Sequence, residues 1–286
     1  MELTVIRYDV DGPIATITLN RPHYKNAQDY RLLDEFDVAM DMAEADKAVR
    51  AIVVRGSGGN FSSGHDLGTP ESVEYRTSLG AEPGVESYDQ FKKYNLDLLL
   101  KWRNHPKPTI AMVEGYCIYA GWMLTACLDI VFAADNALFL AGVVEYMAIP
   151  WDIGVRRAKE LVFESRFISA EEAARYGVVN RVLPLKDLER ETYAYARRVA
   201  ENSPLVLRFA KLQMNKAQDQ QGYTNALEDS LGDYVAMSGT SERGLRMEGK
   251  RRLTAVDLAV RGLKGDRFGL KKQRVKATAP RRRKSK

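Results

Sequence analysis

Apolar positions follow two different spacings along the first half of the chain. Short continuous or alternating apolar runs predict strands, and apolar residues that recur every three or four positions predict helices. The predicted strands cover residues 5–8, 14–19, 51–55, 109–113, 130–133 and 138–140, and helices are predicted over 29–45, 87–103 and after residue 121 as far as 128. Alternation of strands and helices predicts an α/β domain with right-handed crossover connections.

Helical spacing dominates after Pro150. It predicts helices over residues 155–163, 170–176, 187–201, 205–215 and 225–237. Residues 68–86 are polar and contain Pro and Gly, so we expect a mobile segment there.

Two turns rich in small residues each follow a predicted strand and precede a predicted helix. They are Asn60-Phe61-Ser62-Ser63-Gly64-His65-Asp66-Leu67 and Gly115-Tyr116-Cys117-Ile118-Tyr119-Ala120-Gly121. Such turns leave backbone N–H groups unpaired and directed outward. Two converging N–H groups can hold a carbonyl oxygen that becomes negative during a reaction. The pair of turns therefore indicates an oxyanion site.

With these turns the chain resembles the crotonase superfamily, the enoyl-CoA hydratase/isomerase group. The resemblance runs from about residue 5 to about residue 182, with a looser helical continuation to about residue 252. Its landmarks, in the family's order, are Ala15-Thr16-Ile17-Thr18-Leu19-Asn20-Arg21-Pro22, Lys25-Asn26-Ala27, Val53-Val54-Arg55-Gly56, Phe61-Ser62-Ser63-Gly64-His65-Asp66-Leu67, Lys107-Pro108-Thr109-Ile110-Ala111, Gly115-Tyr116, Cys127-Leu128-Asp129-Ile130, and Ile168-Ser169-Ala170-Glu171-Glu172-Ala173 continuing to Gly177-Val178-Val179-Asn180. Together these landmarks support the fold and CoA-thioester binding, but they do not single out one reaction.

The resemblance implies an α/β fold of the crotonase (ClpP/crotonase-like) type, a spiral of ββα turns with a C-terminal helical trimerisation region. We expect residues 1–200 to form the spiral core, 201–270 the helical oligomerisation region, and 271–286 a basic, disordered tail. A homotrimer or a hexamer is the expected assembly. More apolar helical faces follow residue 170 than one small domain needs, which agrees with this expectation.

The resemblance also assigns roles to individual residues. The backbone N–H groups of His65 and Ala120 would form the oxyanion hole for the thioester oxygen. Two roles of His65 stay open: either only its backbone N–H matters, or its imidazole also reaches the substrate. Other substrate contacts are expected from residues in or beside the same turns, namely Lys25, Ala27, Asp66, Leu67, Tyr116, Tyr119, Gly121 and Met123. Tyr119 replaces a small residue and is expected to narrow the acyl pocket.

The pair of catalytic glutamates that the resemblance leads us to expect is incomplete in this sequence. Hydratases of the family hold one water between two glutamates, and Met123 stands at the first of these positions. An ungapped count from Asp129 puts Val143 at the second, with Glu145 two residues later. Glu145 is therefore a candidate base that a small local shift would bring to the substrate. Asp152 is a second catalytic candidate, with a helix N-cap as its alternative role.

Charge and composition exclude several other classes. The net charge of +5 comes from residues 271–286, which carry nine basic and no acidic side chains and leave −4 for residues 1–270. We expect this tail to be dispensable for chemistry, and nucleic acid is not an expected partner. Two cysteines, Cys117 and Cys127, predict reduced core thiols and a cytoplasmic protein. The scattered histidines His23, His65 and His105 predict no metal site, with His23 and His105 at the surface. No apolar run is long enough to cross a bilayer.

The sequence thus predicts an enzyme of the enoyl-CoA hydratase/isomerase type in fatty acid metabolism, with an acyl-CoA thioester as substrate and no cofactor. A single carboxylate favours isomerisation or C–C cleavage over two-carboxylate hydration. The alternatives are a CoA-binding homologue with isomerase, C–C hydrolase or lost activity, and an interaction protein that uses its basic tail.

Overall fold

The computed structural model describes residues 2–80, 83–238, 246–248, 251–253 and 255–263. Strands run in the order β1 (Ile6–Asp11), β2 (Ile14–Leu19), β3 (Ala51–Gly56), β4 (Thr109–Val113), β5 (Tyr116–Ile118), β6 (Ile130–Ala134), β7 (Leu138–Leu140), β8 (Phe167–Ser169), β9 (Arg181–Leu183), β10 (Arg246–Glu248) and β11 (Arg251–Leu253). The largest sheet has the order β1-β2-β3-β4-β6-β9 and is parallel except for the β1–β2 hairpin. A smaller sheet has the order β5-β7-β8. The predicted mixed α/β fold is confirmed.

Helices connect the strands and then dominate the C-terminal part. They are α1 (Tyr30–Ala45), α2 (Pro70–Ser78), α3 (Val85–Lys92), α4 (Leu98–Arg103), α5 (Ala120–Ala126), α6 (Ile149–Ile153), α7 (Val155–Glu164), α8 (Ala170–Tyr176), α9 (Leu185–Ala200), α10 (Pro204–Gln220), α11 (Tyr223–Ser238) and α12 (Ala255–Leu263). A 3-10 turn covers Pro22–Tyr24, and a π-helical turn covers Lys93–Asp97 between α3 and α4.

Successive residues of the central strands point to opposite faces of the large sheet. In β3, Ile52 and Val54 join the main core, whereas Ala51 and Val53 join a second cluster that includes Leu188 of α9. Burial on both faces explains why the central strands read as continuous apolar runs rather than alternating ones. The sheet is therefore a two-sided scaffold, with α1 packed against β1 and β2 and α9 packed against β2, β3, β4 and β6.

Helix α1 begins where the sequence places it. The Asp29 side chain accepts a hydrogen bond of 2.8 Å from the backbone N–H of Leu32, which is N-cap geometry. Apolar side chains that recur every three or four residues form the buried face of α1: Leu32, Leu33, Phe36, Ala39, Met40 and Ala43. Amphipathic spacing was sufficient to predict this helix.

The structure differs from the sequence expectations at three places. Much of the polar segment 68–86 is helical, as α2 and α3, and Thr69 caps α2 by accepting a hydrogen bond from the Ser72 N–H. The single helix expected over 87–103 is interrupted by the π-helical turn. His105, expected at the surface, is buried, and its Nε2 lies 3.2 Å from the Met40 carbonyl oxygen.

Other expectations hold. Cys117 and Cys127 are buried free thiols, and burial raises the pKa of both well above its usual value. His23 is exposed. Helices α10, α11 and α12 form the expected C-terminal helical region, whereas the basic tail, residues 271–286, lies outside the described residues. None of the described helices is long and apolar enough to cross a membrane.

Candidate active site

The two glycine-containing turns lie side by side. The Ser62 N–H donates to the Tyr116 carbonyl at 2.8 Å, and the Ile118 N–H donates to the Ser62 carbonyl at 3.0 Å. Glycine permits this approach, because a Cβ on Gly121 would lie 2.9 Å from the Ser62 carbonyl oxygen. A Cβ on Gly64 would lie 3.0 Å from the Ile118 carbonyl oxygen. Residues 60–67 and 115–121 thus lie against each other.

The backbone N–H of His65 is left without a partner by the pairing around it. Gln28 donates to the Gly64 carbonyl at 2.8 Å and accepts from the Asp66 N–H at 2.9 Å. Neighbouring N–H groups of an extended segment point to opposite sides, so the His65 N–H points away from Gln28. Within the described part of the chain it has no hydrogen-bond acceptor.

The second candidate donor is the N–H of Ala120, the first residue of α5. The first N–H groups of a helix have no acceptor inside it. Only at Met123 does the helical ladder begin, with a hydrogen bond of 2.9 Å from its N–H to the Tyr119 carbonyl. A Cβ on Gly64 would lie 3.7 Å from the Ala120 nitrogen, so this donor adjoins the residue before His65. Both N–H groups are therefore available at one place.

Tyr119 holds the turn into α5 in an unusual conformation. Its φ is 45° and its ψ is −103°, a region that costs a non-glycine residue about 1–3 kcal/mol. Its N–H donates to the Leu140 carbonyl at 3.1 Å. Its ring lies on Gly142, where a Cβ would come within 2.1 Å of the ring Cε1 atom. Burial raises the pKa of Tyr119 to about 12, so its phenol stays protonated.

Glu145 lies beside His65, a residue of the turn formed by residues 60–67. Its carboxylate Oε2 lies 3.2 Å from Nε2 of His65, and the residue is only 3% exposed. Burial alone would raise the pKa of Glu145, but the charge and hydrogen bond of His65, with a hydrogen bond from Tyr234, hold it below its usual value. Val143, at the position reached by the ungapped count, is 45% exposed. The local shift that the sequence left open therefore puts Glu145 beside His65.

A cavity of about 290 Å³ opens next to this pair. It is lined by residues of the first turn, of α3 and the π-helical turn, and of α11, including Gln28, Tyr30, His65, Leu67, Phe91, Asn95, Glu145 and Tyr234. Aromatic walls with a few convergent polar groups are typical of a small-molecule site. Leu67, at its edge, is 97% exposed.

Arg21 links the loops around the cavity through hydrogen bonds and ion pairs. Its guanidinium donates to the Ala27 carbonyl at 2.6 Å and to Asp66 Oδ2 at 2.8 Å, and it lies 3.4 Å from Asp29. Burial opposes the charge of Asp66, but hydrogen bonds from Thr69, Gly68 and Arg21 together lower its pKa to about 2. Asp66 is therefore ionised and committed to Arg21, which makes it a structural carboxylate of the site.

The turn around Lys25 lies beside the same loops. Lys25 and Asn26 both have left-handed φ values, 48° and 56°, and the Ser63 N–H donates to the Lys25 carbonyl at 2.9 Å. The Lys25 ammonium lies 5.2 Å from the centre of the Tyr116 ring, a cation–π distance. Lys25 and Tyr116, both expected substrate contacts, are thus neighbours.

Asp152 lies apart from Glu145. It belongs to α6 and does not cap α7, whose N-cap residue is Gly154. Its Oδ2 accepts a hydrogen bond of 3.0 Å from Trp122 Nε1, and burial raises its pKa to about 7 despite this bond. Asp152 lines a different cavity, of about 150 Å³. Met123 of α5 is buried and does not line the cavity at His65.

Sequence reasoning missed Gln28, Arg21 and Asn95 as residues of the site. Arg21 lies inside the segment Asn20-Arg21-Pro22 that carries the family resemblance, so its place there was an available signal. Gln28 donates through Nε2 to the Ala120 carbonyl at 3.2 Å, a contact across 92 positions that no local pattern reveals. Asn95 enters the cavity from the π-helical turn, a geometry often found at functional sites.

Comparison with known proteins identifies the family of the chain. The family model described as enoyl-CoA hydratase/isomerase matches residues 9–251. EchA13 of Mycobacterium tuberculosis, provisionally named an enoyl-CoA hydratase, is 36% identical over an alignment of 249 residues, and the match covers 79% of this chain and 78% of that protein.

Two solved structures extend the comparison. One, described provisionally as an enoyl-CoA hydratase from Mycobacterium thermoresistibile, is 41% identical, with a TM-score of 0.73 over 82% of this chain and 99% of the other. Another, described as a monofunctional enoyl-CoA isomerase from M. smegmatis, is 26% identical, with a TM-score of 0.61 over 75% of this chain and 94% of the other. The chain therefore belongs to the enoyl-CoA hydratase/isomerase family of the crotonase superfamily, whose members are enzymes that act on acyl-CoA thioesters.

Proposed function

We propose that this enzyme forms the enolate of an acyl-CoA thioester and moves a proton at the acyl group with the His65–Glu145 pair. The thioester oxygen would accept hydrogen bonds from the N–H groups of His65 and Ala120. One observation carries the proposal: a buried carboxylate, that of Glu145, lies 3.2 Å from the ring of the same residue that would supply an oxyanion donor. The donor, the proton acceptor and a cavity of acyl size meet at one residue.

The carboxylates around the cavity favour proton shuttling over hydration. Glu145, Asp29 and Asp66 are the carboxylates among its lining residues. Asp66 is held by Arg21, and Asp29 caps α1 by accepting from Leu32, so neither is free to hold a water. Met123 and Val143 occupy the two positions at which the resemblance implies glutamates. A double-bond isomerisation needs one group that takes and returns a proton, which the pair supplies.

A panel of thioesters tests this preference. We expect a 3-enoyl-CoA to be converted to the conjugated 2-enoyl-CoA faster than crotonyl-CoA is hydrated, because a single carboxylate positions water poorly. Ultraviolet absorbance of the conjugated thioester follows both reactions. Hydration as fast as in a two-glutamate relative would contradict the proposal. Tight binding of every thioester without turnover would favour the CoA-binding alternative.

For the CoA portion we propose backbone contacts from the turn at Lys25 and Ala27 and from His65-Asp66-Leu67. The left-handed turn at Lys25 and the nearly complete exposure of Leu67 support this position, because both leave polar backbone and apolar side-chain surface open beside the cavity. The proposed reaction needs no cofactor. The described residues contain no group of three His, Cys, Asp or Glu side chains that could hold a metal ion.

We also propose that the chain assembles as a homotrimer or a hexamer. Helix α10 exposes large apolar side chains, namely Leu205, Val206, Phe209 and Met214. A face of this kind is typical of an interface between subunits. Multi-angle light scattering at micromolar concentration should give a trimer or hexamer mass, and a monomer mass alone would contradict the proposal. A place in cytoplasmic fatty acid metabolism stays a prediction from the sequence.

A further inference from the structure

Glu145 determines which nitrogen of the His65 ring carries the proton in the neutral imidazole. An ionised carboxylate can only accept hydrogen bonds. Oε2 of the Glu145 carboxylate lies 3.2 Å from Nε2, which is hydrogen-bond distance. With Glu145 ionised, Nε2 is therefore the donor. In the neutral ring the other nitrogen, Nδ1, then carries a lone pair and no proton.

The Nδ1 atom has no competing partner. Within the described part of the chain no hydrogen bond to Nδ1 is present, and the His65 side chain remains 26% exposed beside the cavity. Nδ1 is also the ring nitrogen closer to the backbone of its own residue. A bare imidazole nitrogen thus belongs to the same cavity-lining residue whose N–H we assign to the oxyanion hole.

The presence of an N–H donor and a bare ring nitrogen on one residue suits a thioester. The carbonyl oxygen and the α-carbon of an acyl group are separated by only two bonds, so a group that binds the oxygen has neighbours close to the α-carbon. We infer that Nδ1 of His65 is the atom that takes the proton from the α-carbon, while the N–H of the same residue holds the thioester oxygen. This inference rests on the proposed function and names the catalytic base within it.

The proton and electrons balance without any further reactant. Nδ1 accepts the α-proton, and the electron pair of the broken C–H bond forms the C=C bond of the enolate. The carbonyl π-electrons move to the thioester oxygen, whose negative charge the two N–H groups stabilise. The imidazolium then returns a proton to the α-carbon or, in an isomerisation, to the γ-carbon. Glu145 acts as a positioning residue that fixes the tautomer and stabilises the imidazolium.

Hydrogen exchange tests the base separately from the full reaction. The substrate is butyryl-CoA in D₂O, and mass spectrometry measures deuterium at its α-carbon. His65→Ala keeps the backbone N–H and removes the imidazole, so exchange should fall by roughly 10²–10⁴-fold. Free imidazole added to this variant should restore part of the exchange. His65→Gln serves if the alanine variant fails to fold, and exposed His23, replaced by alanine, is the matched control.

The outcomes separate the inference from the proposed function. Exchange by the wild type but not by His65→Ala supports both. Equal exchange by the wild type and a folded His65→Ala or His65→Gln variant would overturn the inference and leave the enolate chemistry intact. No exchange of any acyl-CoA by the wild type would overturn the proposed function itself.

Nitrogen NMR tests the tautomer on which the inference depends. The chain has three histidines, so the ¹⁵N signals of His65 can be assigned by difference from His65→Ala. On the alkaline side, where imidazole is neutral, we expect a protonated Nε2 and a bare Nδ1. A proton on Nδ1 in the wild type would overturn the inference.

Discussion

Ala120→Pro is expected to lower turnover of the best acyl-CoA substrate by on the order of 10²-fold or more, because proline has no N–H to give to the thioester oxygen. Proline is accepted at the first position of a helix, and Ala120 is the first residue of α5. The helix itself should therefore survive the change. Steady-state kinetics, with circular dichroism to confirm folding, makes the measurement.

Ala120→Gly is the matched variant, since it changes the same position but keeps the donor. It should retain most of the turnover that Ala120→Pro loses. If a folded proline variant turned over substrate at the wild-type rate, the oxyanion assignment would be wrong. Equal losses in the two variants would mean that the position matters through packing and not through its N–H.

Glu145→Gln is expected to lower turnover by roughly 10²–10⁴-fold with little change in substrate binding. Glutamine keeps the size of the side chain and one acceptor for His65 Nε2, but it removes the charge that stabilises the imidazolium. Turnover measured with isothermal titration of an unreactive thioester analogue separates the rate from the affinity.

Asp152→Asn is the parallel carboxylate test. Asparagine retains an acceptor for Trp122, and Asp152 lines a different cavity, so turnover should change little. A large loss in Asp152→Asn with none in Glu145→Gln would transfer the proton chemistry to Asp152. If neither substitution slowed the best substrate, both carboxylates would be structural, and another base such as His65 would have to act without them.

Local patterns predicted most of the scaffold. Strands β2, β3, β4 and β6 follow from apolar runs, and α1 follows from its spacing and its cap at Asp29. The two turns were recognised because glycine marks places where backbones approach closely, as at Gly64 and Gly121. The polar segment 68–86 was misjudged because weakly amphipathic helices such as α2 carry few apolar residues, and they gain stability from caps and neighbours.

The chemistry of the site depended on contacts that sequence spacing does not contain. Glu145 lies 80 positions from His65, and only the path of the loop after β7 decides that Glu145 and not Val143 turns inward. The contact between the Tyr119 ring and Gly142 likewise joins two loops that are separate in the sequence. His105 was expected at the surface because charged residues flank it, yet the Met40 carbonyl gives its ring a buried partner. Tertiary packing decides such positions.

A crystal structure with an unreactive acyl-CoA analogue tests the enolate site most directly. We expect the thioester oxygen to lie within about 3.2 Å of the backbone nitrogens of both His65 and Ala120, with the α-carbon facing the His65 ring and Glu145 still bonded to Nε2. A thioester oxygen bound away from these two nitrogens, or an α-carbon that lies beside Asp152 instead, would contradict the assignment of the site.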